Sequence, residues 1–152
     1  MKKVDIYTDG ACSNNPGNGG WAGILIYKGI KKEISGGEEN TTNNKMELRA
    51  VIETLQLLKE PCQVSLHSDS AYVVNAFEND WITSWQMAGW RTSGKKEVKN
   101  LELWKELITL TQKHKVKFVK VKGHSDNELN NRCDELARAE VEKLNSIPPL
   151  NS

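Results

Sequence analysis

Three strand-like segments stand ahead of the first helical period in this 152-residue chain, and that order restricts the folds open to it. Val4-Asp5-Ile6-Tyr7-Thr8-Asp9 alternates as a half-buried strand does and ends at Asp9-Gly10. Trp21 to Tyr27 is an aromatic and β-branched run, and Lys28-Gly29 turns it into Ile30 to Ser35. The three read as an antiparallel meander. Between the first two, Asn14-Asn15-Pro16-Gly17-Asn18-Gly19-Gly20 is dense in turn formers and reads as a loop. Leu48, Val51, Ile52, Leu55 and Leu58 then fall on one face of a helix that Pro61 stops. Val64 to Asp69 is a fourth strand, and Ser70 caps a short helix over Ala71 to Phe77. A second short helix over Trp81 to Ala88 leads into a loop from Gly89 to Lys99. Leu101, Trp104, Leu107, Ile108 and Thr111 mark a further helix, Val116 to Val121 a fifth strand, and Leu129, Cys133, Leu136, Ala137 and Leu144 a last helix. A meander followed by strand–helix alternation implies an α/β chain: a mixed sheet with helices on its faces.

The length suits one domain with a core of its own, over residues 1–145, followed by a short tail, 146–152, that carries Pro148 and Pro149. At 38% hydrophobic and 27% charged, the composition is globular. Lys+Arg 21 against Asp+Glu 20 gives a formal charge of +1, which excludes a uniformly basic polyanion binder but leaves room for a local basic patch. No apolar run approaches the roughly 18 residues of a membrane helix, and Met-Lys-Lys-Val-Asp-Ile-Tyr lacks a signal-peptide core. Cys12, Cys62 and Cys133 are odd in number and form no C-x-x-C pair, so a cytoplasmic chain without a disulfide framework or zinc site is expected. A monomer without a membrane partner is expected as well.

Four acids stand out by position. Asp9 and Asp69 each lie where a strand gives way to a turn, and the helix between those strands would make them parallel through a right-handed crossover. Their carboxyl ends would then adjoin, the usual place for an α/β active site. Glu47 lies about 80° from the centre of its helix's apolar stripe, a border position close to the sheet but reachable by solvent, and Asp134 holds a similar border beside Cys133 and Leu136. Taken singly, each is more often a solvated surface charge or a turn former than a ligand. Taken together, converging carboxylates repel unless a cation intervenes, and oxygen-only ligation suits a hard ion such as Mg²⁺. Two such ions about 4 Å apart can hold both the attacking and the leaving oxygens of a phosphodiester.

Tyr7-Thr8-Asp9-Gly10-Ala11-Cys12-Ser13-Asn14-Asn15-Pro16-Gly17-Asn18-Gly19-Gly20-Trp21, Thr41-Thr42-Asn43-Asn44-Lys45-Met46-Glu47-Leu48, Ser68-Asp69-Ser70-Ala71-Tyr72-Val73-Val74, and Val121-Lys122-Gly123-His124 with Asn131-Arg132-Cys133-Asp134-Glu135-Leu136-Ala137 occur in that order. This series resembles the motifs of the bacterial type 1 ribonuclease H family over about residues 3–144. The resemblance implies a ribonuclease H-like five-stranded mixed sheet, strands 1 to 3 antiparallel, with helices on both faces. It implies an endonuclease that hydrolyses the RNA strand of RNA–DNA hybrids by two-metal-ion catalysis, with Mg²⁺ or Mn²⁺ in its place, leaving 3′-hydroxyl and 5′-phosphate ends. Asp9 would bridge both ions, Asp134 would complete the ion that activates water, and Glu47 and Asp69 would help hold the ion at the departing oxygen. His124 matches the family's mobile histidine, which assists proton movement or product release. Two other readings stand beside this one: a nuclease of the same fold acting on another nucleic acid, and a non-catalytic hybrid-binding module, which would be expected to lack one of the four acids.

The same resemblance assigns the strands of the hybrid. Gly10, Asn15, Asn43 and Asn44 match contacts to RNA 2′-hydroxyls, and Asn43 also suits a helix cap. Thr42 and Asn100 match a DNA-phosphate pocket, and Tyr72 and Trp81 match aromatics that touch the DNA sugar. Lys95, Lys96 and Lys99, with Arg91, resemble the basic protrusion of the bacterial enzymes, and basic charge is what polyphosphate binding uses. Helix-spaced Trp81 and Trp85 are more often core than ligand platform, Trp85 above all. Three positions depart from the bacterial pattern: Ala71 replaces a Gln, Asn40 an Arg, and Ser125-Asp126 a Gly-containing step.

Overall fold

The computed structural model describes residues 1–92, 94–123 and 126–148. Its elements follow the order β1 (Lys2–Cys12), β2 (Gly17–Tyr27), β3 (Ile30–Thr41), α1 (Asn43–Leu55), β4 (Cys62–Ser68), α2 (Ala71–Glu78), α3 (Trp81–Met87), α4 (Leu101–Gln112), β5 (Lys115–Lys120) and α5 (Glu128–Asn145). The strands form one sheet in the order β3-β2-β1-β4-β5. The meander β1-β2-β3 is antiparallel, and β1-β4 and β4-β5 are parallel, as a strand–helix–strand crossover requires.

Alternation along β1 divides the sheet's faces. Val4 and Ile6 point into the larger core with Leu48, Val51, Ile52 and Leu55 of α1 and Trp104 and Leu107 of α4. On the other face α5 lays Cys133 and Ala137 over Ala22 and Ile24, with Tyr7 beside them. The first core holds the larger side chains, and burial of that kind is the main stabilising contribution. Glycines let the second layer close. A Cβ on Gly20 would collide with the Ala137 carbonyl, and one on Gly36 would meet the Trp21 indole at 2.5 Å.

Several boundaries differ from those read in the sequence. β1 does not stop at Asp9-Gly10, because its pairing with β2 continues through Gly10↔Trp21, Ala11↔Gly20 and Cys12↔Gly19. The glycine-rich segment from Gly17 is therefore strand rather than loop. β3 passes Ser35 and runs to Thr41, since Gly36 and Gly37 keep their ladder partners Trp21 and Gly20. α1 ends at Leu55, and Leu58 packs on the core from the turn beyond. β5 lies one residue earlier than its apolar pattern suggests.

Candidate active site

Asp9 sits where β1 changes partners. Up to Thr8↔Ser68 the strand pairs in parallel with β4; past it β1 continues only with β2, and the two strands separate. Asp9 and Asp69, the first residues after that last pair, face the opening. Ser70 then caps α2, its hydroxyl accepting from the Val73 amide at 3.3 Å, while its own amide donates to Ser68 Oγ at 3.0 Å. This fixes the chain on both sides of Asp69.

Glu47 comes from the opposite layer. Thr42 caps α1 by accepting from the Lys45 amide, and α1 presses its first turns directly on β1. A Cβ on Gly10 would stand 2.5 Å from the Glu47 amide nitrogen, so glycine is what lets the helix reach this depth. Glu47 is only 5% exposed, which corrects the expectation of a solvent-reachable border position. The helix is held so close to the strand that even its border residue is covered.

Carboxylate oxygens of Asp9, Glu47 and Asp69 lie within 4.8 Å of one another. Their electrostatics are those of crowded acids. Burial, then the Asp69 and Asp134 charges, pushes the Asp9 carboxyl up to about 8, although the Gly10 amide donates to Asp9 Oδ1 at 3.0 Å. Burial, then Asp9 and Asp69, holds Glu47 well above the usual carboxylate range. Glu47 Oε1 is buried with no hydrogen-bond partner. A buried acceptor aimed at two other acids is costly alone and is resolved by a cation. The three residues thus fit a divalent metal on charge, donor type and spacing.

Asp134 lines the same open cleft of about 500 Å³, on α5, but stands outside the tight group of three. Its Oδ2 is held at 2.9 Å by Arg138, one turn further along the helix. Sequence reading passed over Arg138, although the four-residue spacing of opposite charges on a helix was a usable signal.

The other expected site residues divide into groups. Gly10, Asn43, Asn44 and Tyr72 line the cleft with the acids. Asn15 reaches its edge from the β1–β2 turn, and its Oδ1 accepts from the Asn43 amide at 2.9 Å. Asn100 and Tyr72, 28 residues apart in sequence, meet side chain to side chain at 3.1 Å, and Trp104 Nε1 donates to the same Tyr72 hydroxyl at 2.9 Å. Trp81 is 38% exposed on α3, whereas Trp85 stacks edge-on against buried Trp104 and belongs to the core. Lys95, Lys96 and Lys99 are not among the residues lining the cleft; they sit on an exposed loop pinned by buried Val98, whose amide donates to the Trp90 carbonyl at 3.0 Å. Among the departures, Ala71 lines the cleft and Asn40 takes a left-handed φ of 49° near the end of β3. His124 and Ser125 lie outside the described residues.

Carboxylates gathered at the strand ends of a mixed five-stranded sheet define a metal-dependent hydrolase of the nuclease kind. A family model described as RNase H matches residues 1–142. The chain is 62% identical over 143 residues to the ribonuclease H of Acetivibrio thermocellus, covering 94% of this chain and 97% of the relative. It is 61% identical over 144 residues to that of Caldicellulosiruptor saccharolyticus, covering 95% and 99%. Among solved structures, LC9-RNase H1, described as a type 1 RNase H with the type 2 active-site motif, superposes with a TM-score of 0.84 at 28% identity, over 94% of this chain and 74% of that one. LC11-RNase H1, solved in complex with RNA/DNA hybrid, shares the fold with a TM-score of 0.71 at 24% identity, over 94% and 99%. The chain belongs to the ribonuclease H family. It is an enzyme, a metal-dependent endoribonuclease. Among the described residues no helix is long and apolar enough to cross a membrane.

Proposed function

We propose that this protein hydrolyses the RNA strand of RNA–DNA hybrids with two divalent ions, Mg²⁺ or Mn²⁺, and leaves 3′-hydroxyl and 5′-phosphate ends. The observation that carries the reading is the group Asp9, Glu47 and Asp69, with a buried unpartnered oxygen on Glu47, in a chain of this family. Bound divalent ions supply a polarised water, neutralisation of the phosphate, and stabilisation of the departing oxygen. Asp9, whose carboxyl feels both the Asp69 and the Asp134 charges, would be the ligand common to the two ions. Glu47 and Asp69 would help hold one ion and Asp134 the other. His124 is assigned proton movement or product release.

The hybrid's two strands are read by different surfaces. Short polar groups and bare backbone at Gly10, Asn15, Asn43 and Asn44 suit 2′-hydroxyls, which lie along a shallow groove. Thr42, Tyr72, Asn100 and Trp81 form the DNA side. Lys95, Lys96 and Lys99 add cations to the backbone contact. The protein acts as a one-domain monomer over residues 1–145, with residues 146–152 as a tail, in the cytoplasm.

A hybrid labelled in turn on each strand tests the proposal. Cleavage of the RNA strand alone, lost on chelation and restored by Mg²⁺, is the expected result. Cleavage of the DNA strand, of single-stranded RNA, or without metal would overturn it. Nuclease digestion of the product ends reads the 3′-hydroxyl and 5′-phosphate directly.

A further inference from the structure

Ten consecutive positions from Lys113 to Lys122 hold Lys113, Lys115, Lys117, Lys120 and Lys122 and no acid, in a chain whose formal charge is +1. All five lysines are exposed. They surround β5, an edge of the sheet, and β4 beside it carries no acidic residue from Cys62 to Ser68. Five cations elsewhere do pair with acids, among them Lys2 with Glu60, Arg132 with Glu33 and Lys143 with Glu140. Among the described residues none of these five lysines has an ion-pair partner. The run is therefore a field of unneutralised positive charge.

Its position ties it to the cleft. β5 is parallel to β4 with Lys120 opposite Ser68, so its carboxyl end opens beside Asp69. Just past it, a Cβ on Gly123 would stand 3.0 Å from Asp69 Oδ2. From there the lysines lead back along the sheet edge for about 20 Å at the rise of a β-strand. Phe118 turns into the core, which leaves Lys115 and Lys117 on the other face, and α5 packs on β1, β2 and β3 rather than over them. Edge lysines also deter strand-to-strand aggregation. That task does not call for Lys113 and Lys122 beyond the strand.

We propose that this lysine edge binds the phosphate backbone of a single-stranded tail continuous with the duplex in the cleft. The inference rests on the hybrid reading above. A duplex is stiff over tens of nanometres and runs on straight from the acids, whereas a single strand can turn down the sheet edge. The chemistry recognised is phosphate charge, so the contact is insensitive to base sequence.

The test compares steady-state cleavage of a blunt hybrid with that of the same hybrid carrying a ten-nucleotide single-stranded tail on either strand. Wild-type protein should show a lower KM for at least one tailed hybrid, with kcat unchanged. The tail should steepen the salt dependence by about 0.7 in log–log slope per phosphate contacted. The variant Lys115→Glu/Lys117→Glu/Lys120→Glu should lose the tail's advantage and keep blunt-hybrid cleavage. Anisotropy of a labelled free strand, which needs no cleavage, should show binding by wild type that the variant loses. Equal KM for blunt and tailed hybrids, or a variant that keeps the advantage, overturns the proposal. So does Lys→Gln substitution at the same three sites that causes self-association but leaves the KM ratio intact, since the lysines then only guard the edge. Failure of wild type to cleave any hybrid strikes instead at the hybrid reading.

Discussion

At Asp9 one side chain combines the metal-binding role proposed above with a stability cost. Its folded carboxyl titrates near 8 against an ordinary value of 3.8, so the protonated form is the one the metal-free fold favours. The stabilisation is full below the ordinary carboxylate pKa and is lost as pH rises through about 8. Metal-free protein should therefore melt at lower temperature near pH 9 than near pH 5. Asp9→Asn should flatten that dependence and raise Tm at the higher pH while abolishing cleavage. At this chain length about 1 kcal/mol moves Tm by roughly 4 °C, so thermal scans resolve the effect. A lowered Tm for a folded Asp9→Asn protein at pH 9 would contradict the crowded-acid picture. Arg138 poses a second question of the same scale. Its pair with Asp134 spans one helical turn at the surface and is worth only a few tenths of a kcal/mol. Arg138→Ala should leave Tm nearly unchanged yet shift the Mg²⁺ titration to lower concentration, because Asp134 no longer trades one cation for another. Calorimetric titration of the two proteins reads this directly. The four acids were legible in the sequence by motif and position, but the burial of Glu47 was not. Periodicity gives the direction in which a side chain leaves a helix, not how close the helix comes to the sheet.

Among the elements, α1 and β1 are set by Gly10. Gly10→Ala introduces a methyl group where the backbone of Met46 and Glu47 already stands, and neither can yield as a flexible side chain would. Overpacking of this kind costs about 1–3 kcal/mol. Moving α1 outward also carries Glu47 from its partners, so activity should fall further than stability. A Gly10→Ala protein with normal Tm and normal Mg²⁺ affinity would show that the helix has slack. The basic loop before α4 behaves differently, since it is anchored by Val98 and its exposed lysines are not among the residues that line the acid cleft. Replacing Lys95, Lys96 and Lys99 with Ala should weaken hybrid binding and reduce its salt slope by up to roughly 0.9 per lost phosphate contact, with kcat little changed. Filter binding over a range of salt measures the slope. Strand extents show where local pattern misleads. Glycines at 17, 19, 20, 36 and 37 look like turn signals, yet they lie in paired strands. Gly20 and Gly36 are glycine because a helix carbonyl and an indole take the space of their side chains, and such partners lie far away in sequence.

For the whole molecule, the cleft draws on residues 9, 47, 69 and 134, which come from β1, α1, the end of β4 and α5. No single element supplies more than one of them, so the order of elements, though legible, could not by itself give the distances among the acids. Divalent metal should couple to the entire fold. Binding to the native state alone stabilises by mass action, about 2.7 kcal/mol at a hundredfold excess over Kd. Mg²⁺ should thus raise Tm most at high pH, where the acids are ionised and repel, and least near pH 5; an equal shift at both would separate metal affinity from these carboxylates. The placement of β1 in the middle of the sheet, paired with β2 on one side and β4 on the other, carries one more consequence. A central strand opens only when its neighbours part, so the amides of its doubly paired stretch should fall in the slowest hydrogen-exchange class. Asp9 follows directly on the doubly paired residues 5–8 and keeps Ala22 of β2 as its ladder partner, so a strand held on both sides anchors it. On the proposed role of Asp9, control over turnover would act at the rim, on what enters the cleft and what leaves it, rather than on the strand that carries the acid.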